Sequence, residues 1–276
     1  MMPRTLRKLL RKPLAVIGFV IVVALVFAAI FAHTIAPFDP LKPDFGAILQ
    51  APNSKYWLGT DEIGRDVLSR MIYGARASLQ AGLIAVFLAV GIGVPIGILS
   101  GYFRGFLDDY VIMRFTDAMM AFPVIVLALA LAAAVGSSLT TAMVAIGIVY
   151  VPIFIRLARA QTLSVRETEY VEAARALGNN HLAIMGRHIL PNIMSAIVIQ
   201  MSVSMATAIL AETALSFLGL GVQPPTPSWG SMLRLGVGYL ENAPWVSLWP
   251  GFAIFLAVLG INLVGDALRD VLDPRD

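Results

Sequence analysis

Charged residues cluster along this chain and leave long uncharged runs between them, at 13–38, 77–103, 118–155, 189–211, 213–233 and 242–265. A helix crosses about 30 Å of hydrocarbon with roughly 20 apolar residues. The runs 13–38, 77–103, 189–211 and 242–265 are therefore each expected to hold one membrane-spanning helix. The run 118–155 is too long for one span and is interrupted by Gly136-Ser137-Ser138, which predicts two spans joined by a tight turn. The run 213–233 carries Pro224-Pro225-Thr226-Pro227 beside Gln223, Ser228 and several glycines. Proline fixes φ and removes a backbone donor, so this stretch is expected to be an external loop. The pattern predicts an all-α membrane protein with six transmembrane helices.

Composition agrees with that reading. Hydrophobic residues make up 58% of the 276 and charged residues only 13%, against about 45–50% and about 25% in soluble domains. With no cysteine, a disulfide scaffold, a thiolate nucleophile and a cysteine-held metal are excluded. The net charge of +3 does not point to nucleic acid, because basic residues in membrane proteins chiefly set orientation. Arg4, Arg7, Lys8, Arg11 and Lys12 place the N-terminus in the cytoplasm. Six crossings then put 36–77, the turn near 136–138 and 214–245 outside, and 104–116, 156–190 and the C-terminal tail inside. The first apolar run exceeds the h-region of a signal peptide and no A-x-A site follows Phe31, so an uncleaved anchor is expected.

The external loop 36–77 mixes Lys42, Lys55, Arg65, Arg70 and Arg76 with Asp39, Asp44, Asp61, Glu62 and Asp66, so local ion pairs in a folded loop are expected. Ile63, Val67, Arg70 and Ile72 have amphipathic spacing over about 61–77. That spacing suits an interfacial helix lying on the outer leaflet, and equally a docking platform for an external partner.

The longest cytoplasmic stretch, Ser164–Asn192, has a helical grammar of its own. Thr168 serves as an N-cap, with Glu169 behind it where the helix dipole favours a carboxylate. Ser164 with Glu167 offers a rival capping box four residues earlier. Ala173, Ala174, Ala176 and Leu177 favour helix, and Gly178 supplies the stop. Tyr170, Ala173, Ala174 and Leu177 share one face, and Glu172 and Arg175 are spaced to pair. A second short helix, about 180–188, is expected before Pro191, which suits the first turn of the fifth span. A helix of about nine residues is marginal alone in water. It needs a partner surface, either the protein's own bundle or a groove in another protein.

Glu172-Ala173-Ala174, Gly178 and Ile189-Leu190-Pro191 together resemble the EAA loop of binding-protein-dependent ABC importer permeases. Three further stretches resemble the C-type subunit of the dipeptide, oligopeptide and nickel branch. They are LGTDEIGRDVLSR (Leu58–Arg70) with Tyr73-Gly74-Ala75-Arg76, ALSFLGLGVQPPTPSWG (Ala214–Gly230) and GDALRDVLDP (Gly265–Pro274). The resemblance runs from the basic N-terminus to the tail. It implies half of a channel in a bacterial inner membrane, completed as a heterodimer by a second, homologous permease. Two P-loop ATPases would sit beneath, and an external solute-binding protein would deliver cargo to the loop 36–77. The chain has no G-x-x-x-x-G-K-[ST] motif, so ATP and Mg²⁺ are expected on the partner ATPases. No catalytic residue, metal or bound cofactor is expected on the chain itself.

The resemblance further implies that Tyr170, Val171, Glu172, Ala173, Ala174, Arg175, Leu177 and Gly178 form a coupling helix seated in an ATPase groove. Tyr170 and Leu177 would be its seated apolar contacts, Glu172 and Arg175 would fix register, and Gly178 would permit close approach. ATPase closure would then rock the two permeases between inward-facing and outward-facing states.

Elsewhere the residues support two readings at a time. Met201, Ser204 and Met205, with Ser202 and Thr207, suit a translocation path because methionine adapts to varied cargo, and suit helix packing equally well. Glu212, near the outer end of the fifth span, suits a contact for a peptide ammonium or an outer gate, and also an interfacial carboxylate. Asp117 is placed to pair with Arg114 as a topology anchor. His33 is expected at the outer interface, and His181 and His188 have no acidic ligand between them for a metal. Trp57, Trp229, Trp245 and Trp249 fit an outer aromatic belt.

These readings converge on an all-α permease subunit with cytoplasmic termini. The segment 1–77 comprises the basic N-terminus, first span and external loop, and 78–276 a five-helix core containing the EAA loop at about 164–192. Di- or oligopeptides are the expected cargo, with nickel or a nickel chelate as the near alternative. A stand-alone channel or ion-coupled carrier would place ionisable pairs or broken helices at mid-membrane, whereas the span centres here are uncharged.

Overall fold

A computed structural model describes residues 12–272. Regular structure among them is helical: α1 (Pro13–Ile30), α2 (Val67–Phe103), α3 (Leu107–Met120), α4 (Val124–Val135), α5 (Leu139–Val165), α6 (Glu169–Ala176), α7 (His181–Phe217), α8 (Trp229–Val237) and α9 (Trp245–Leu272). Helices α1, α2, α5, α7 and α9 are each long and apolar enough to cross a membrane. Helices α3 and α4 meet that test only as a pair, bent by 95°. Arg4, Arg7, Lys8 and Arg11 of the basic N-terminus, and Asp273 and Pro274 of the tail motif, lie outside the described residues.

The run 118–155 does divide at 136–138, where Gly136 takes φ +113° and Ser138 caps α5 by accepting the Thr141 amide at 3.0 Å. Its first half is the broken one. Pro123 has no N–H and disfavours helical geometry at Phe122, so α3 stops and α4 restarts in a new direction. At 12 residues, α4 is about 18 Å long, short of the hydrocarbon thickness.

The central contact is between α2 and α5. Gly93, Gly97 and Gly101 recur one turn apart on α2 and face the α5 backbone. A Cβ at Gly97 would lie 2.5 Å from the Ile155 carbonyl oxygen, and one at Gly93 2.7 Å from the Phe154 Cβ. At Gly101 it would lie 2.8 Å from the Arg159 carbonyl oxygen. Lipid tails provide no hydrophobic drive for helices to associate, so close backbone approach through small residues takes that role. Helix α1 docks on α9 by the same device: a Cβ on Gly18 would meet the Leu263 Cβ at 2.5 Å, and one on Gly260 the Ile21 Cγ2 at 2.7 Å. Lys12 adds an ion pair with Asp270 at 2.5 Å.

Helix α2 begins well before the uncharged run that announces it. The Asp66 carboxylate accepts the Ser69 amide at 2.8 Å and caps the helix at Val67. Residues 67–77 are thus the first turns of the long helix α2, with Val67 and Arg70 buried, and not a separate interfacial helix. The division drawn at residue 77 falls inside this helix. The expected ion pairs of the loop 36–77 are present. Arg65 binds Asp61 at 2.7 Å and Glu62 at 2.8 Å, and Arg70 reaches Asp61 at 3.3 Å.

Two boundaries and three side-chain roles differ from the sequence expectation. No separate helix ends before Pro191, because α7 runs through it from His181; a wide π turn at Met185–Ile189 precedes the proline, where an ordinary turn would clash with its ring. Helix α7 also extends to Phe217, so the proline-rich loop shortens to 218–228 and is followed by α8. Asp117 pairs with Arg156 of α5 instead of Arg114. Trp229 is buried, its Nε1 donating to the Met71 carbonyl at 3.0 Å. Trp245 donates to the Thr60 carbonyl at 3.1 Å. Both are clamps between segments and not members of an exposed belt.

The α2–α5 contact makes a paired prediction. Gly97→Leu should destabilise the purified chain by about 1–3 kcal/mol through overpacking. Gly91→Leu, where an added Cβ meets nothing within 4 Å, should be neutral or slightly stabilising. Thermal unfolding in detergent would measure both, and equal effects would exclude the close contact.

Candidate functional site

Helix α6 hangs from the end of α5 and leads into α7, held by groups from three helices. Thr168 is the N-cap residue, with extended φ and ψ of −81° and 146°, while Ser164 lies inside α5. This settles the choice between the two possible starts. The Thr168 hydroxyl does not cap α6; it donates back to the Val165 carbonyl at 2.6 Å. At the other end Gly178 takes φ +78°. The Gly178 amide donates to the Arg175 carbonyl at 3.0 Å, and the Asn179 amide to the Ala174 carbonyl at 3.2 Å. This paired pattern is the Schellman stop, which needs a left-handed residue that glycine adopts without strain.

The helix has two unlike faces. Val171 and Ala174 point inward and are buried at 0% and 5% exposure, in the same apolar core as Ile184, Met185 and Ile189. Tyr170, Glu172, Ala173, Arg175 and Leu177 point outward, and Leu177 is 84% exposed. Ala174 therefore leaves the outward apolar stripe, which consists of Tyr170, Ala173 and Leu177. An eight-residue helix is held in shape by its buried side, so its open side is a stable surface.

Glu172 and Arg175 do not pair. The Arg175 guanidinium lies 5.7 Å from the ring centre of Tyr102, a cation–π contact to the last turn of α2. The Tyr102 hydroxyl lies 2.9 Å from His181 Nδ1 at the start of α7. Arg166 donates from Nη1 to the carbonyls of Gly101 and Tyr102 at 3.2 and 3.0 Å, satisfying acceptors that the end of α2 leaves free. Its Nε donates to Glu167 at 2.8 Å, and this hydrogen bond holds the Glu167 carboxyl below the usual carboxylate range. Deeper in, Arg159 grips Asp108 through two bonds of 2.6 and 2.8 Å, and Ser100 donates to the same carboxylate. Tyr102, Arg166 and this Asp108–Arg159 pair are not legible as site residues in the sequence. Tyr102 stands at the end of an ordinary apolar run, and the ion pair joins positions 51 apart.

The residues expected on a translocation path lie along α7. Met201 and Met205 are half-buried, while Ser204 is 2% exposed and accepts from Gln200 at 3.2 Å. Glu212 is fully buried within the bundle. Ser78 of α2 donates to its Oε2 at 3.0 Å and Ser216 to its Oε1 at 2.7 Å. Ser216 in turn accepts the Val222 amide at 3.1 Å, so this carboxylate ties α7, α2 and the loop 218–228 together.

The two faces of α6 predict opposite outcomes for one substitution. Val171→Asp buries a charge without a partner and should cost about 3 kcal/mol or more. Leu177→Asp should change stability by no more than about 0.5 kcal/mol. Gly178→Leu should be strained by about 1–2 kcal/mol at its positive φ, and Gly178→Asn much less. Thermal unfolding of the purified variants reads all four.

Residues 93–275 match the family described as "binding-protein-dependent transport system inner membrane component". Residues 2–52 match the N-terminal transmembrane domain of oligopeptide transport permease C. The dipeptide transport system permease protein of Alkalihalophilus pseudofirmus is 44% identical over 269 residues, covering 98% of this chain and 88% of that one. The glutathione transport system permease protein of Escherichia coli is 42% identical over 270 residues, covering 98% and 89%. Among solved structures, the inward-facing MetNI methionine ABC transporter superposes with a TM-score of 0.61 at 20% identity, over 73% of this chain and 96% of that one. The glycine-packed helices, the two-faced helix α6 and the near full-length likeness agree, and the chain belongs to the binding-protein-dependent transport system inner membrane components.

Proposed function

We propose that this chain is the permease subunit of an ATP-driven importer that carries di- or oligopeptides across a bacterial inner membrane. The observation that carries the reading is its likeness, over 98% of its length, to permeases of dipeptide and glutathione transport. In the proposed topology both termini and α6 are cytoplasmic, and the loop between α1 and α2 is external. A second, homologous permease completes the passage, two ATPases bind beneath, and an external binding protein supplies the peptide to the outer loops.

The geometry of α6 supports a mechanism. Tyr170, Ala173 and Leu177 offer an apolar stripe that a groove in an ATPase would cover, flanked by Glu172. Arg175, engaged with Tyr102, positions the helix from within the chain. Val171 and Ala174 belong to the core that α2, α5 and α7 share. A push on α6 therefore reaches the bundle through packed contacts, and rigid-body rocking follows with little internal refolding. ATP and Mg²⁺ stay on the ATPases. The proposed path runs along α7 past Met201, with Ser204 and Glu212 supporting that helix from inside, whereas Met205 packs against Gly82 of α2 and lines a cavity at the edge of the bundle.

Uptake tests cargo and coupling together. Cells lacking the gene should lose uptake of labelled di- and tripeptides and regain it with the gene restored. Loss of nickel uptake alone would move the cargo to the metal. Tyr170→Glu with Leu177→Glu should leave the chain inserted, lower ATPase co-purification at least tenfold and abolish uptake. Unchanged co-purification would remove α6 as the docking element.

A further inference from the structure

A cavity of about 550 Å³ opens between α1, α2, α7 and α9, lined by Val22, Leu25, Val26, Leu83, Met205 and Ile261 among others. Its polar residues are Arg76 and Gln80, four apart and so on the same face of α2. Both are exposed, and Arg76 has no carboxylate partner among the described residues. The cavity lies at the edge of the bundle, because only 11% of the apolar window of α1 is buried. The neighbouring Val23, Phe27 and Phe87 are exposed apolar side chains of the kind that face acyl chains.

We infer that this cavity is a binding site for an anionic phospholipid, its phosphate held by Arg76 and Gln80 and one acyl chain lying along Val22, Leu25, Leu83 and Met205. An unpaired guanidinium on an apolar membrane face is costly. A phosphodiester answers it with the paired acceptors that arginine's planar fork matches. The remaining lining is apolar, which suits hydrocarbon. A fifth helix is a poorer occupant, since a helix with its side chains is about 10 Å across and four helices of one chain already bound the space. Arg76 sits nine residues into α2, about 14 Å below the cap, within reach of a headgroup region by extension of its side chain. The inference rests on membrane placement and not on the identity of the cargo.

The test uses the purified complete transporter in phosphatidylcholine vesicles doped with phosphatidylglycerol bearing a photoactivatable acyl chain. Mass spectrometry should map the label to residues 22–30 and 76–83. Phosphatidylcholine bearing the same chain should label these segments about fivefold less, the weight of one basic residue near an anionic lipid. Arg76→Gln should remove that difference, and Arg76→Lys, which keeps the charge but not the planar fork, should keep only part of it. Equal labelling by the two lipids, labelling unchanged in Arg76→Gln, or crosslinking of the cavity walls to the second permease would each overturn the proposal. Competition by inorganic phosphate would also overturn it, by making the site one for a free anion.

Discussion

The fold depends on two helix backbones being allowed to touch. Gly93, Gly97 and Gly101 remove the side chains that would otherwise hold α2 and α5 apart. Inside a bilayer no water is expelled when helices meet, so association relies on dispersion and fit. The junction at the end of α2 and α5 inherits that contact. It places Tyr102 and the carbonyls at the end of α2 beside Arg166 at the end of α5. It also brings Arg159 to Asp108, a buried carboxylate that is tolerable only because a bidentate partner and Ser100 satisfy it. Helix α6 starts three residues beyond Arg166 and takes its orientation from this junction.

Much of the architecture is readable from where charges are missing. The uncharged runs locate α1, α2, α5, α7 and α9, and Gly178 marks the stop of α6 in sequence and structure alike. The runs do not show where a helix begins when its first turns are polar. Asp66 starts α2 ten residues early because its carboxylate caps the chain and the preceding loop buries Arg70. Likewise Pro191 reads as a helix start, yet a π turn lets α7 pass through it. Local rules describe single elements, and these departures come from tertiary contacts that supply the partners those rules assume to be absent.

The site is legible in part for the same reason. Helical spacing puts Tyr170, Ala173, Ala174 and Leu177 on one face, but a 100° step per residue does not tell which edge of that face meets the bundle. The structure turns Ala174 inward with Val171 and leaves the other three outside. Spacing also pairs Glu172 with Arg175, whereas an aromatic ring from a distant helix competes better for the guanidinium. Trp229 and Trp245 are similar cases. Their indole N–H groups find carbonyls 158 and 185 residues away, pairings that no local pattern encodes.

The buried Glu212 bears on how such a chain is made. Membrane helices leave the translocon one after another, and a carboxylate in an apolar segment raises the free energy of releasing that segment alone into lipid. Its partner Ser78 lies 134 residues upstream and so enters the bilayer first. The hydroxyl that answers the carboxylate therefore belongs to a helix synthesised before α7, and only the assembled bundle provides the pair. Ser216 extends the same connection to the following loop by accepting the Val222 amide.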